Sequence, residues 1–376
     1  MKQKVIISTS LEQHLADSIA EAAPDRLFVL CDETTADCCW KRISHFRCLH
    51  DATLITITPG DSNKDIEALI AVWDVLQRNG ATRHSMLINL GGGMVTDLGG
   101  FAASAFKRGI RFVNIPTTLL SLVDASVGGK TGVNFGGLKN EIGVFNTADA
   151  VILDTQFLST LSSTEIRSGY AEMIKHGLIN PDTSMLASLL RFDIGRPELT
   201  ALQQMVADSV AVKQRIVDAD PLEKGLRKAL NLGHTIGHAF ESFAMSYGRR
   251  TAHTQQTGDT NPKAENKAEA NSAITPIPHG YAVAYGIVCE LYLSCVKTGF
   301  PQDIMRQTAR YINEWYGRMP LTCDDYDTLF ELMTHDKKNT AGTINFTLLS
   351  SVGGIEIDQT ATREEIYEAL DFYREG

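Results

Sequence analysis

Apolar and polar positions follow two regimes along this chain. Over the first 160 residues, short apolar runs at 4–7, 27–31, 54–57, 86–90 and 112–115 read as strands. Between them, apolar residues three and four apart predict helices over 11–23, 64–78 and 95–106. Strands alternating with helices imply a mostly parallel sheet covered on both faces, a Rossmann-like α/β domain. From about residue 162 helical periodicity dominates, through 164–178, 198–217, 227–247, 281–298 and 304–315. A β-like ribbon is expected near 343–349. The boundary is placed near 160, giving an α/β domain over 1–160 and a mainly helical domain over 161–376.

The segment 249–278, with TQQTGDTNPKAENKAEANS inside it, is polar and without periodicity. It cannot bury enough apolar surface to offset its ordering entropy. It is expected to be a flexible surface insertion between two helices, with an active-site lid as the functional alternative. The whole chain has 376 residues and is 43% apolar, which supports ordinary cores. No apolar run approaches the ~20 residues of a membrane span. The opening MKQKVIISTS reads as a first strand, not a signal peptide. Seven scattered cysteines without a C-x-x-C suggest reduced thiols in a cytoplasm. A formal net charge of −10 disfavours a general nucleic-acid binder but leaves room for a local basic pocket.

Candidate chemistry centres on Asn231-Leu-Gly-His234-Thr-Ile-Gly-His238-Ala-Phe-Glu241. Histidines four apart on a helix point the same way, so one ion, or one substrate, could touch both. Gly233 and Gly237 in a helix interior would each cost ~1 kcal/mol, which suggests close packing there. A second feature is Gly91-Gly92-Gly93, after the run at 86–90 and before a helix. Glycines at such a turn let backbone amides approach a pyrophosphate. The pattern is not G-x-G-x-x-G, and a tight turn needing positive φ is the plainer alternative. Asp32-Glu33-Thr34, Asp61 to Lys64 and Pro116-Thr117-Thr118 also follow predicted strands, where open α/β sheets bind ligands.

The glycine-rich stretch carrying Asp124, Lys130, Lys139 and Asn140 suits an anionic small molecule, or is a loop with solvated lysines. Glu172 and Lys175 share a helix face, and a surface ion pair is their simplest reading. Lys213, Glu223, Arg227, His279 and the run His335-Asp336-Lys337-Lys338-Asn339 complete the set. A carboxylate and two histidines from three helices would make a three-ligand site with an open position, the usual form of catalytic zinc.

The stretches GGGMVTDLGGF, RGIRFVNIPTTLLSLVDASVGGKTGVN, LKNEIGVF, YAEMIKHG, LNLGHTIGHAFE, HGYAVAYG and DKKN occur in this order. Together they resemble the 3-dehydroquinate synthase family, within the sugar-phosphate cyclases. The resemblance implies an NAD-binding α/β domain followed by a helical metal-binding domain. It implies bound NAD and a divalent metal, zinc first and cobalt second, held by Glu172, His234 and His279. It places Asp124, Lys130, Lys139, Asn140, Lys175, Lys213, Arg227, Asn231 and His238 around the substrate. Gly91, Gly92, Gly93, Asp97, Thr117 and Thr118 would hold NAD. The strand-end residues Asp32, Asp61 and Lys64 join them, and Lys130 and Lys139 belong to both sets. Glu223 and His238 are candidates for proton handling. Lys337 or Lys338 would supply another anion contact. Arg108 matches an arginine that reaches the neighbouring subunit's site, which implies a homodimer.

The implied substrate is 3-deoxy-D-arabino-heptulosonate 7-phosphate. Transient oxidation by NAD, phosphate elimination, re-reduction, ring opening and aldol closure would give 3-dehydroquinate, in the shikimate pathway. The alternatives are another NAD-dependent sugar-phosphate cyclase of secondary metabolism, a metal-dependent polyol dehydrogenase, and a non-catalytic metal-binding scaffold. The insertion falls between the second and third expected metal ligands.

Overall fold

In the computed structural model, which describes residues 3–257, 276–334 and 343–376, the first five apolar runs are strands. They are β1 (Lys4–Ile7), β2 (Leu27–Asp32), β3 (Thr53–Ile57), β4 (Met86–Gly91) and β5 (Arg111–Pro116). The glycine-rich stretch expected to be a loop is instead an antiparallel hairpin of β6 (Lys130–Phe135) and β7 (Leu138–Phe145). An unpredicted strand, β8 (Ala150–Leu153), completes a six-stranded parallel sheet ordered β1-β8-β5-β4-β2-β3. Every residue of β4 is buried, as a central strand covered on both faces requires. The order changes direction between β4 and β2, so the carboxyl ends of these two strands flank the switch point at which such sheets bind ligands.

Helices Leu11–Ala22, Ile66–Arg78 and Gly93–Ala105 accompany the sheet. The second starts at Asp65, whose side chain accepts from the Ala68 amide. Gly99 lets the Gly93–Ala105 helix lie against β4, because a Cβ there would stand 2.0 Å from Asn89 Oδ1.

The chain divides into two compact units: Met1–Gly169 with Gly195–Leu222, and Tyr170–Ile194 with Glu223–Gly376. The helix Leu199–Ala219 thus groups with the sheet. Its Gln203 side chain donates to the Ser8 carbonyl at 2.8 Å and accepts from Thr155 Oγ1 at 2.6 Å.

The second unit is built on helices His234–Thr257, His279–Thr298, Gln302–Tyr316, Tyr326–Thr334 and Arg363–Glu375, with a ribbon of β9 (Phe346–Ser351) and β10 (Gly354–Gln359). The helix expected over 227–247 is different in two ways. Leu226–Asn231 forms a separate 3-10 turn, and Gly233, at φ 80°, breaks the chain direction before a new helix starts at His234. Only Gly237 is therefore a helix-interior glycine. That helix also runs to Thr257, through the start of the expected 249–278 insertion, and residues 258–275 lie outside those described.

The helix beginning at His279 is buried almost all round and forms the centre of this unit. It meets the His234 helix backbone to backbone. A Cβ on Gly286 would lie 2.0 Å from the Gly233 carbonyl oxygen and 2.7 Å from the Gly237 nitrogen. All seven cysteines are free thiols. Among the described residues, no helix is long and apolar enough to cross a membrane.

Candidate active site

Three elements of the second unit bring Glu172, His234 and His279 together, their ligand atoms all within 4.8 Å of one another. Glu172 lies on the helix Ser163–Ile179, while His234 and His279 are the first residues of their helices. Glu172 Oε1 stands 3.5 Å from His234 Nε2 and 3.6 Å from His279 Nε2. The outer ring nitrogens are engaged: His234 Nδ1 lies 3.1 Å from the Leu232 carbonyl and His279 Nδ1 3.1 Å from Glu241 Oε2. A carbonyl oxygen only accepts, so His234 Nδ1 must carry the proton. In the neutral ring, Nε2 then presents a lone pair to a carboxylate oxygen. Two acceptors facing each other need a proton or a cation between them. Two imidazoles and a carboxylate are a zinc-type donor set, and a carboxylate behind a ligating histidine is its usual support.

Glu172 is fully buried and pairs with Lys175, itself 1% exposed, so the surface ion pair expected from sequence is an interior one. Burial opposes charge on His279, but hydrogen bonds to Glu172 and Glu241 prevail and push it up to about 10. The two carboxylates thus favour positive charge at the His279 ring. His238 sits one turn on, its ring centroid 5.4 Å from that of His234 and 5.9 Å from that of His279. Asn231 Nδ2 donates to Glu223 Oε1 at 3.1 Å, and Arg227 is buried in the preceding 3-10 turn. His176, given no role from sequence, is fully buried.

In the first unit, the Gly91–Gly93 turn joins β4 to the Gly93–Ala105 helix. None of the three glycines has positive φ. Close packing requires them instead: a Cβ on Gly91 would meet Val95 at 2.5 Å, and one on Gly92 would meet Thr118 at 3.1 Å. Beside the turn, buried Lys64 donates to Asp97 Oδ2 at 3.0 Å and to Asn140 Oδ1 at 2.6 Å. Burial raises the Asp97 carboxyl against the pull of Lys64, to about 6. Lys139 pairs with Asp61 at 3.2 Å. The hairpin is tied to the segment that carries Lys64 by Asn134, whose backbone amide donates to the Lys64 carbonyl at 2.7 Å.

Lys213 donates to Asp124 Oδ1 at 2.6 Å. Thr117 is buried at the end of β5, and Thr118 Oγ1 bonds Ser121 Oγ at 2.9 Å. Asp32 caps the turn after β2, accepting from the Thr35 amide at 2.6 Å. Lys130 opens β6 and is exposed. Arg108 is exposed at φ 69°, between Lys107 at 50° and Gly109 at 114°. Lys337, Lys338 and His335 lie outside the described residues. Sequence reasoning missed Glu241 as the support of His279, although it stands in the quoted motif three residues after His238.

Two sequence families match the chain. They are 3-dehydroquinate synthase N-terminal over residues 54–168, and 3-dehydroquinate synthase C-terminal over 169–255 and 265–339. The chain belongs to the 3-dehydroquinate synthase family. It is 49% identical to the 3-dehydroquinate synthase of Parabacteroides distasonis, over 100% of this chain and 99% of that protein. It is 31% identical to that of Streptococcus pyogenes serotype M18, over 98% and 95%. Membership assigns the chain the family's activity, synthesis of 3-dehydroquinate, a step of the shikimate pathway.

A solved 2-deoxy-scyllo-inosose synthase, complexed with carbaglucose-6-phosphate, NAD+ and Co2+, shares the fold at TM-score 0.77 and 20% identity, over 99% of this chain and 96% of that one. A 2-epi-5-epi-valiolone synthase from Streptomyces hygroscopicus with NAD+ and Zn2+ bound gives 0.76 and 22%, over 100% and 97%. An iron-containing alcohol dehydrogenase from Thermococcus thioreducens gives 0.64 and 15%, over 100% and 99%. One fold therefore serves both cyclases and dehydrogenases.

Proposed function

We propose that this enzyme converts 3-deoxy-D-arabino-heptulosonate 7-phosphate to 3-dehydroquinate and phosphate, using NAD and one divalent cation, zinc first and cobalt second. The observation that carries the metal is the facing pair of acceptors, Glu172 Oε1 and His234 Nε2, 3.5 Å apart. Glu172, His234 and His279 hold the ion, and Glu241 keeps the His279 ring turned toward it. When bound, NAD supplies a reversible hydride acceptor and the metal supplies Lewis-acid polarisation of the hydroxyl being oxidised.

The chain's own residues do the rest. The amides of the Gly91–Gly93 turn, at a helix N-terminus, take the NAD pyrophosphate. Asp97, Thr117 and Thr118 hold the rest of the cofactor, with Asp32, Asp61 and Lys64 at the neighbouring strand ends. Lys130, Lys139, Lys175, Lys213 and Arg227 bind the substrate's carboxylate and phosphate, and they stabilise the charge of the departing phosphate. Asp124, Asn140 and Asn231 orient its hydroxyls. His238 and Glu223 move protons at those hydroxyls. Lys337 or Lys338 adds an anion contact. Arg108 serves the neighbouring site in a homodimer, and its left-handed backbone is the kind of strain that function maintains. Seven free thiols suit a cytoplasmic setting.

The shared fold with a 2-deoxy-scyllo-inosose synthase and an alcohol dehydrogenase supplies the competing readings. Purified protein with NAD and zinc should release phosphate from the heptulosonate phosphate, form 3-dehydroquinate and accumulate no NADH. Absence of phosphate release would sink the proposal. Stoichiometric NADH from a polyol would make the protein a dehydrogenase, and a different carbocycle would make it another cyclase.

A further inference from the structure

Glu290 lies on the His279–Thr298 helix, 0% exposed, eleven positions beyond His279. Its Oε2 accepts from the Gly233 amide at 2.6 Å and its Oε1 from the Ile236 amide at 3.2 Å. These amides flank the start of the His234 helix. The first amides of a helix have no partner within it, and they form the positive end of its dipole. A fully buried carboxylate persists where such charge-assisted bonds compensate its lost hydration. The same helix approaches Gly233 from its other side, since Gly286 packs on the Gly233 carbonyl. The residue before His234 is thus held at both its N–H and its C=O by the helix that carries His279.

We propose that Glu290 is a positioning residue for the metal site: by gripping the Gly233 and Ile236 amides it fixes the His234 imidazole relative to His279 and Glu172. This rests on the reading of those three residues as ligands. Glutamine at 290 offers one acceptor and turns an N–H toward a backbone N–H, so the first turn of the His234 helix must shift. The ring of His234 moves with it, while the ring itself, Glu172, His279 and Glu241 stay chemically intact.

The test is Co2+ binding to the full chain at 25 °C, by competition with a chromophoric chelator and by the visible d–d spectrum. Wild type, His234→Ala, Glu290→Gln and Glu290→Asp are compared. We expect Glu290→Gln to bind Co2+ about 10–100-fold more weakly, the range typical of outer-shell changes, with an altered spectrum. Glu290→Asp, which keeps the carboxylate, should recover part of both. Wild-type affinity and spectrum in Glu290→Gln would overturn the positioning role while leaving the ligand set standing. No Co2+ bound by wild type would instead overturn the ligand reading. If Glu290→Gln does not fold, Glu290→Asp is read the same way. Amide exchange in the wild-type protein needs no variant: Gly233 and Ile236 should be strongly protected, and exchange at the rate of exposed amides would remove the clamp.

Discussion

Gly286→Ala tests whether the backbone contact between the two histidine-bearing helices sets the metal geometry. The added Cβ would stand 2.0 Å from the Gly233 carbonyl and 2.7 Å from the Gly237 nitrogen. Both obstacles are backbone, so no side-chain rotation relieves them. Side-chain carbons do not approach closer than about 3 Å, so the helices must separate by about 1 Å, an overpacking that typically costs ~1–3 kcal/mol. The better helix propensity of alanine returns up to ~1 kcal/mol. A net loss of ~1–2 kcal/mol should lower the melting temperature by several degrees. Function should suffer more than stability. Metal–ligand distances tolerate only ~0.2 Å, and a misplacement of ~1 Å can cost ~100-fold in rate. The assay pairs thermal denaturation with zinc affinity by chelator competition and phosphate release at saturating zinc. A variant that melts earlier but binds zinc and turns over as the wild type does would show that this contact does not fix the ligand spacing.

Three further outcomes are expected. Glu172→Gln leaves the Lys175 ammonium, 1% exposed, without its carboxylate, so stability should fall by ~3–5 kcal/mol along with loss of zinc; retention of both in denaturation and metal analysis would refute the pairing. Glu241→Gln removes the anion behind His279 and should weaken zinc binding by ~10–100-fold while sparing turnover at saturating zinc; unchanged affinity in a chelator titration would contradict it. Asp97 has its folded pKa raised to about 6, so this group favours the fold below its usual range and loses that contribution as pH rises through 6. In the cofactor role proposed for it, Asp97 would act in the opposite state, as the carboxylate. NAD affinity measured by calorimetry should therefore fall as pH drops below about 6, and Asp97→Asn should flatten the profile. A wild-type profile that is level from pH 5 to 8 would remove Asp97 from the cofactor site.

The parts of the fold legible in sequence are those whose partners are local. Strands β2, β4 and β5 announce themselves because they are buried on both faces over most of their length and their runs are mostly apolar, while the edge strands β1 and β3 still carry short runs of Val, Ile and Leu. The hairpin β6–β7 does not, because Gly132 and Gly143 face each other's strands: a Cβ on Gly143 would lie 2.1 Å from the Thr131 carbonyl. Glycine that permits close strand contact looks in sequence like glycine that permits a loop. The break before His234 was hidden for the same reason, since Gly233 at φ 80° fits the helical period of its neighbours. The cluster of Glu172, His234 and His279 is legible through motif resemblance, with the histidine spacing as a first hint. Glu241 and Glu290 were not, because their partners lie 38 and 57 residues away and no local pattern marks a carboxylate that serves a distant ring or amide.

The glycine seam also gives the two histidine-bearing helices a spacing set by direct contact. Gly233, Gly237 and Gly286 fix the two histidine-bearing helices against each other directly, so the chain that links them is not what sets their spacing. The family match agrees, since it skips residues 256–264 between these helices. Loop-closure entropy grows slowly, by ~0.6 kcal/mol for each doubling of length. The link is therefore a natural splice point. Shortening it, replacing it with a glycine–serine tether or inserting a fluorescent domain there should leave zinc affinity intact, which makes it the place to build a reporter of metal loading in this enzyme.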